Sequence, residues 1–164
     1  MKFHDEKLKK LQGYSEIHER LDLTDPKEAQ MLLEFSLHAV DIGHPAYAWE
    51  EECRWARLVA SEFQAQVDRE KALGLPESGH MKCSGEQHLA KGQVGFFKFW
   101  VAPYFEELAE QVPELQTCVK QIADNAKNFA EVAEGSRSMV TIAVCTTVLA
   151  CVRVRLCADT CRRP

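Results

Sequence analysis

Residues 37–76, LHAVDIGHPAYAWEEECRWARLVASEFQAQVDREKALGLP, carry most of the information about the fold. The Gly-His-Pro sequence at 43–45 ends a first helix, because proline lacks a backbone donor and restricts the residue before it. A long helix is predicted over 47–73, since its apolar residues recur at alternating steps of four and three and form one stripe. The stripe consists of Trp49, Cys53, Ala56, Ala60, Phe63 and Val67. The Gly-Leu-Pro sequence at 74–76 ends this helix.

The same kind of spacing predicts four more helices outside this stretch. They cover residues 5–21, 26–40, 89–111 and 114–133. Asp25 is expected to cap the helix that follows it, because its carboxylate can accept from free N–H groups of the first turn. Pro103 is expected to bend the helix around it, and 77–88 is predicted to be a polar loop. No convincing pair of strands occurs in 1–135, so the predicted fold class is all-α.

Length and composition restrict the class of protein. The chain has 164 residues, which is enough for one domain with one core. Apolar residues make up 46% and charged residues 27%, as is usual for a globular protein and unusual for a disordered one. The net charge of −5 argues against a nucleic acid as partner.

The end of the chain differs in composition from the rest. Residues 136–164 carry five Arg against a single acid, Asp159, together with four of the seven Cys. We therefore predict a boundary after residue 135, followed by an unrelated, irregular Cys- and Arg-rich tail.

The apolar run at 139–152 is shorter than the ~20 residues of a spanning helix, so a membrane partner is not expected. The odd number of Cys and the charged start of the chain predict a reducing, cytoplasmic location.

One cluster of potential metal ligands follows from spacing alone. His38, Asp41 and His44 lie where a helix is predicted to end. Imidazole and carboxylate groups are ligands for hard or borderline cations, and residues three apart share a helix face. The alternative is that Asp41 and His44 only cap and solvate the end of the helix. Spacing does not decide between these two interpretations.

Several motifs occur together in the order typical of one family. They are H-A-x-D-I-x-H-P at 38–45, R-W at 54–55, E-F-x-x-Q-x-D-R-E at 62–70 and Q-V-G-F at 93–96. In this combination the chain resembles the C-terminal portion of a class I 3′,5′-cyclic nucleotide phosphodiesterase catalytic domain. The resemblance covers nearly all of residues 1–133.

The resemblance implies a helical fold, a reaction and a metal requirement. Members of this family hydrolyse cAMP or cGMP to the 5′-nucleotide in cyclic nucleotide signalling. They use Zn²⁺ and a second divalent metal, usually Mg²⁺ (or Mn²⁺). Two such metals stabilise the charge of the transition state and activate a bridging water. By this resemblance, Asp41 falls on a carboxylate that ligates the catalytic metal.

The resemblance also assigns four residues to substrate binding. Gln93 falls on the glutamine that hydrogen-bonds the purine edge, and Phe96 falls on the ring that stacks against the purine. Val59 matches the aliphatic residue on the opposite side of the base. His44 lies at a position that helps to select the base.

The sequence departs from the family where the remaining chemistry is expected. The family's H-N-x-x-H motif and H-D pair, which supply the general acid and the other metal ligands, have no counterpart here. We therefore assign no catalytic residue and expect the chain alone to be inactive without the N-terminal half of such a domain. The alternative function is a non-catalytic, truncated helical fragment that interacts with proteins through its exposed faces.

Overall fold

A computed structural model describes residues 2–17 and 20–139. Within these residues the protein forms six α-helices and no strand, which confirms the predicted all-α class. The helices are α1 (Lys2–Ile17), α2 (Pro26–Asp41), α3 (Trp49–Ala72), α4 (Glu86–Phe96), α5 (Ala102–Gln111) and α6 (Gln116–Ala133). Short 3₁₀ turns lie at His44–Ala46, Gly79–Met81 and Pro113–Leu115.

Helix α2 begins as its sequence predicts. The Asp25 carboxylate accepts a hydrogen bond from the backbone N–H of Lys27 at 2.8 Å. Pro26 occupies the first helical position, where its missing N–H costs nothing, and Glu28 lies in the positive first turn. This cap fixes the start of α2, the helix that carries Asp41 at its end.

Two helix boundaries differ from the prediction for identifiable reasons. The first helix ends at Ile17 rather than at residue 21, and the backbone N–H of Leu21 donates to the side chain of Gln111 at 2.9 Å. The helix predicted over 89–111 starts at Glu86 and is interrupted by a π turn, Phe97–Val101. In that turn the Ala102 N–H bonds to the Phe97 carbonyl. Pro103 has no N–H to donate to the turn before it, which is consistent with the wider turn at this point. The bend expected at Pro103 stays a prediction.

Aromatic rings join the helices at the centre of the core. The fully buried Phe129 of α6 makes edge-to-face contacts with Trp49 of α3 and Phe97 of the π turn, at 4.9 and 5.6 Å between centroids. The predicted stripe of α3 is buried at Cys53, Ala56 and Val67, whereas its Phe63 is 40% exposed. The stripe therefore predicts the packed face of α3 only in part.

A buried amide holds the turn between α2 and α3. The Nδ2 group of Asn125, on α6, donates to the carbonyl oxygens of Pro45 and Tyr47 at 2.9 and 2.8 Å. The Asn125 side chain is inaccessible to solvent, and its Oδ1 accepts from Gln121. Helix α6 thereby fixes the 3₁₀ turn that begins with His44.

A pair of imidazoles joins α1 to α2. His4 Nδ1 lies 2.9 Å from His38 Nε2, and His4 is almost fully buried between His38, Trp100 and Tyr104. A hydrogen bond between two imidazoles requires that at least one of them be neutral. Burial lowers the pKa of both rings. The contact therefore favours the neutral pair.

Residues 136–139 lie against the helices. The Arg137 guanidinium lies 5.0 Å from the centre of the Trp49 ring and 3.1 Å from the Glu131 carboxylate. Met139 is buried, and its N–H donates to Glu86. The boundary after residue 135 stays a prediction, because the rest of the Cys- and Arg-rich tail lies outside the described residues.

None of the helices in the described ranges has the length and apolar character needed to cross a membrane.

We predict that Asn125→Ala lowers the free energy of unfolding by about 1–3 kcal/mol, because it leaves the buried Pro45 carbonyl and the part-buried Tyr47 carbonyl without this donor. Urea unfolding followed by circular dichroism measures this change. The matched control is Asn128→Ala on the same helix, whose carbonyl accepts only at the exposed Arg137; we expect about 0.5 kcal/mol or less there. Equal losses in the two variants would contradict the role assigned to Asn125.

We predict that the free energy of unfolding falls as the pH drops below 6.5, the ordinary imidazole value. Below that pH the unfolded chain binds protons that the buried His4–His38 pair does not yet accept, so acid favours unfolding. Denaturant titrations between pH 7.5 and 5.0 measure the slope. Nearby charges also act on the two pKa values. Asp5 raises the pKa of His4 and Asp41 raises that of His38, whereas Lys7 lowers the pKa of His38.

The variant that tests this assignment is His4→Phe, which should flatten the slope whatever its effect on absolute stability. His80→Phe, at an exposed position on the second 3₁₀ turn, serves as the control. An unchanged slope in His4→Phe would show that the pair does not govern the acid response.

Candidate functional site

The structure brings two of the predicted site residues into contact. The ring of His44, on the first 3₁₀ turn, is stacked on the ring of Phe96 with centroids 5.6 Å apart and planes at 19°. The other neighbour of His44 is Trp55 of α3, at 6.3 Å and 17°. Phe96 is the last residue of α4, so the stack joins the turn, α3 and α4. The rings of Trp55, His44 and Phe96, which we call the ring stack, are thus nearly parallel.

A buried carboxyl group fixes the central ring of the stack. His44 Nδ1 lies 2.7 Å from Glu52 Oε2, and the Glu52 side chain is inaccessible to solvent. Burial raises the pKa of Glu52, while the hydrogen bond to His44 opposes that rise. Whichever group carries the proton, the bond sets the plane of the imidazole. Glu52 Oε1 has no hydrogen-bond partner.

Sequence reasoning missed Glu52 and Trp55. Glu52 belongs to a run of three acids in the first turn of α3, a place where acids are normally solvated and favoured by the helix dipole. A signal was nevertheless present: Glu52 lies three residues after Trp49 and four before Ala56, and therefore on the buried face of the helix. A carboxyl group on such a face needs a partner, and His44 supplies it.

The third predicted residue, Gln93, lies one turn before Phe96 on α4. Its Oε1 is buried and has no hydrogen-bond partner. Buried amide oxygens are satisfied in most proteins, so an unpaired one marks a position where a donor is missing. Val59 lies half-buried on α3, one turn after Trp55.

Asp41 lies in a different place from the ring stack. It is the last residue of α2, is exposed, and borders a surface hollow of about 660 Å³. The hollow is lined by Phe3, Lys7, Glu34, Leu37, His38, Val40 and Asp41. Neither His44 nor Phe96 lines this hollow.

The described residues do not form a metal site by themselves. No group of three or more His, Cys, Asp or Glu side chains in these ranges is arranged to hold an ion. His38, the neighbour of Asp41 in the hollow, already shares its Nε2 with His4. Zn²⁺ takes four ligands, whereas Mg²⁺ keeps several waters and is held by one or two carboxylates. Asp41 can therefore supply one carboxylate to a divalent metal, but the described residues do not hold a two-metal centre without further ligands.

The chemistry of the ring stack and Gln93 suits a flat heteroaromatic group. Aromatic faces attract planar rings by offset stacking, and a primary amide offers both a donor and an acceptor to the edge of such a ring. The Gln93 oxygen is buried in this structure, so its amide would have to rotate outward to meet the edge of such a ring. The arrangement can therefore bind and orient a base, but the described residues include no arrangement for bond cleavage.

The model of the 3′5′-cyclic nucleotide phosphodiesterase family matches residues 1–122. Human dual specificity calcium/calmodulin-dependent 3′,5′-cyclic nucleotide phosphodiesterase 1C is 39% identical over 89 residues, or 54% of this chain and 12% of the relative. The human 1B enzyme of the same description is 36% identical over 111 residues, or 67% of this chain and 19% of the relative. The chain thus spans less than a fifth of the length of these relatives.

A solved structure with the same fold supports the match. The phosphodiesterase domain of Salpingoeca rosetta rhodopsin phosphodiesterase superposes with a TM-score of 0.78 and 29% identity. The superposition covers 84% of this chain and 42% of that one. The family model alone matches residues 1–122 of the 164, and the chain therefore belongs to the 3′,5′-cyclic nucleotide phosphodiesterase family.

Proposed function

We propose that this chain is the base-binding part of a domain that hydrolyses 3′,5′-cyclic nucleotides to 5′-nucleotides. The observation that carries the proposal is the parallel stack of His44 on Phe96, one helical turn after the unpaired amide oxygen of Gln93. The purine would lie against Phe96, with Val59 on its other side, and Gln93 would bond its edge. The curated relatives are named as dual specificity enzymes, and we propose both cAMP and cGMP as substrates.

His44 would contribute to base selection through the position of Phe96. Since Glu52 fixes the plane of the imidazole at 2.7 Å, the ring is a rigid support and not a mobile side chain. A purine that stacks on Phe96 meets a surface already held parallel. Less side-chain freedom is then lost on binding.

We propose that Asp41 contributes one carboxylate to a divalent metal centre of Zn²⁺ and Mg²⁺ (or Mn²⁺). When complete, such a centre stabilises negative charge on the phosphoryl group and lowers the pKa of a bound water. The other ligands and the general acid would have to come from the part of the domain that has no counterpart here. A polypeptide of these 164 residues is accordingly proposed to be inactive by itself.

We also propose a cytoplasmic location. Support comes from the thiols of Cys53, Cys83 and Cys118, which are free in the described part of the chain, and from the odd total of seven Cys. A reducing compartment keeps such thiols unpaired.

The first test is a chimera in which this chain replaces the matched segment of the Salpingoeca rosetta phosphodiesterase domain. We predict hydrolysis of cAMP and cGMP that requires added Mg²⁺ or Zn²⁺, and none by the isolated chain. Asp41→Ala in the chimera should lower kcat/KM more than ~100-fold, since changes to groups that merely support metal ligands already cost 10- to 100-fold.

Asp124→Ala is the matched control for that experiment, because Asp124 is an exposed carboxylate on α6. We expect its activity to stay within about twofold of the unaltered chimera. Unchanged turnover in the Asp41→Ala chimera would contradict the role of Asp41 as a metal ligand. Metal-dependent turnover by the isolated chain would contradict the proposal that it is inactive by itself.

The second test concerns the base. Phe96→Leu keeps apolar volume but removes the aromatic face, and stacking on a base is worth ~1–3 kcal/mol. We predict that KM of the chimera rises about 5- to 150-fold with a smaller change in kcat. Phe99→Leu, in the same aromatic run but 66% exposed, should leave KM unaltered. Equal effects of the two variants would show that Phe96 does not bind the base.

A further inference from the structure

The Glu52 carboxyl group is buried with fewer partners than its two oxygens need. Its side chain is inaccessible to solvent, and Oε2 lies 2.7 Å from His44 Nδ1. The other oxygen, Oε1, is buried without a hydrogen-bond partner. An ionised carboxylate accepts at both oxygens and carries a charge that is costly to bury. The surroundings therefore disfavour a net negative charge on this carboxyl group and the imidazole together, which we call the Glu52–His44 pair.

The number of protons on the Glu52–His44 pair decides what the second ring nitrogen offers. One hydrogen lies between Oε2 and Nδ1 in every hydrogen-bonded state. With only that hydrogen the pair is an anion, and His44 Nε2 is a bare acceptor. With one more proton the pair has no net charge, either as an ion pair or as a neutral acid and a neutral imidazole. In both of these forms Nε2 carries a hydrogen, so burial of the pair favours Nε2 as a donor.

The described neighbours of the pair leave this balance to Glu52 and His44. Burial raises the pKa of Glu52, and the charged group that opposes the rise is His44 itself. Cys53, next to Glu52 on α3, has its pKa raised by burial to about 11 and stays a neutral thiol. The other two rings of the ring stack carry no charge, and neither does the Asn125 amide of α6 that holds the turn.

The ring stack leaves room for a purine beside His44. Rings in contact lie ~3.5 Å apart, so the 5.6 Å between the centroids of His44 and Phe96 includes a sideways displacement of about 4 Å. His44 therefore covers only one edge of Phe96, and a purine on the rest of that face lies edge to edge with the imidazole. The His44 side chain is 15% exposed. Since Nδ1 is bonded to Glu52, Nε2 is the nitrogen left for the purine edge.

We propose that Glu52 is a positioning residue that determines base specificity: through the proton that it shares with His44, it makes Nε2 a hydrogen-bond donor to the sixth position of the purine ring. Guanine has an oxygen acceptor at that position, whereas adenine has an amino donor. The pair therefore favours cGMP over cAMP, while both remain proposed substrates. This proposal rests on the proposed function and adds which group reads the base and what supplies its hydrogen.

The first measurement needs neither nucleotide nor metal. Long-range ¹H–¹⁵N spectra of the 164-residue chain, labelled at histidine, report which ring nitrogens carry hydrogen. His44→Phe, which keeps an aromatic ring, identifies the signals of His44 by their loss. We expect His44 Nε2 to be protonated at pH 7 and to lose this hydrogen at higher pH. A bare Nε2 with a protonated Nδ1 at pH 7 would overturn the proposal.

The second measurement is the ratio of kcat/KM for cGMP to that for cAMP in the chimera, as a function of pH. The ratio cancels changes that affect both substrates, so it separates base selection from effects on the metal centre. We expect the preference for cGMP to fall about 5- to 150-fold as Nε2 loses its hydrogen. Glu52→Gln keeps the size of the side chain and can bond either tautomer of His44. Its preference for cGMP should be weaker and independent of pH.

Glu51→Gln is the matched control, because Glu51 is an exposed acid in the same first turn of α3 and pairs with Arg54. It should leave the ratio and its pH dependence unaltered. Equal effects of the two variants, or an unaltered ratio in Glu52→Gln, would contradict the role of Glu52. Circular dichroism checks the helical content of each variant, and the spectra of the unaltered chain decide the matter if Glu52→Gln does not fold.

Failure of this proposal is distinguishable from failure of the proposed function. An active chimera, combined with a bare Nε2 at pH 7, would overturn this proposal and leave the proposed function. A chimera that hydrolyses neither nucleotide, combined with a protonated Nε2, would contradict the proposed function and leave the assignment of the proton.

Discussion

Two hydrogen bonds from the buried amide of Asn125 hold the turn between α2 and α3 against α6. That turn starts with His44, and its position determines whether the imidazole can lie parallel to Phe96 and within reach of Glu52. The ring stack therefore depends on this polar contact. Because the Pro45 carbonyl and the Asn125 amide are removed from water, losing the amide costs more than a surface hydrogen bond.

The sequence predicts the elements that obey local rules. Asp25, Pro26 and the apolar spacing of α2 give its start correctly, and the motifs place Gln93 and Phe96 on one helix. Boundaries set by distant contacts were predicted less well. Leu21, which the spacing assigns to the first helix, instead bonds to Gln111, 90 positions away. The π turn before Pro103 reflects a balance between a missing donor and the burial of Phe97 and Val101, which no local pattern displays.

In the candidate site, too, local spacing predicts some features and distant contacts determine the others. Spacing suggests that His38, Asp41 and His44 form one cluster, yet the chain turns after Asp41 and His44 pairs with a carboxyl eight residues later. His38 instead pairs with His4, 34 positions before it. The sequence could not reveal these partners, because each pairing depends on how α1, α2 and α3 pack. These pairings commit His44 to the ring stack and His38 to α1.

The central proposal is that Gln93 and Phe96 bind the base of a cyclic nucleotide, with His44 as the support of the Phe96 ring. The most direct measurement is chemical-shift mapping of the isotope-labelled chain during titration with cAMP and with cGMP, without metal. The account predicts saturable shifts centred on the Gln93 side-chain amide and on the Phe96 and His44 rings, with α2 unaffected. Absence of shifts at these three residues at saturating nucleotide, or shifts confined to other surfaces, would contradict it.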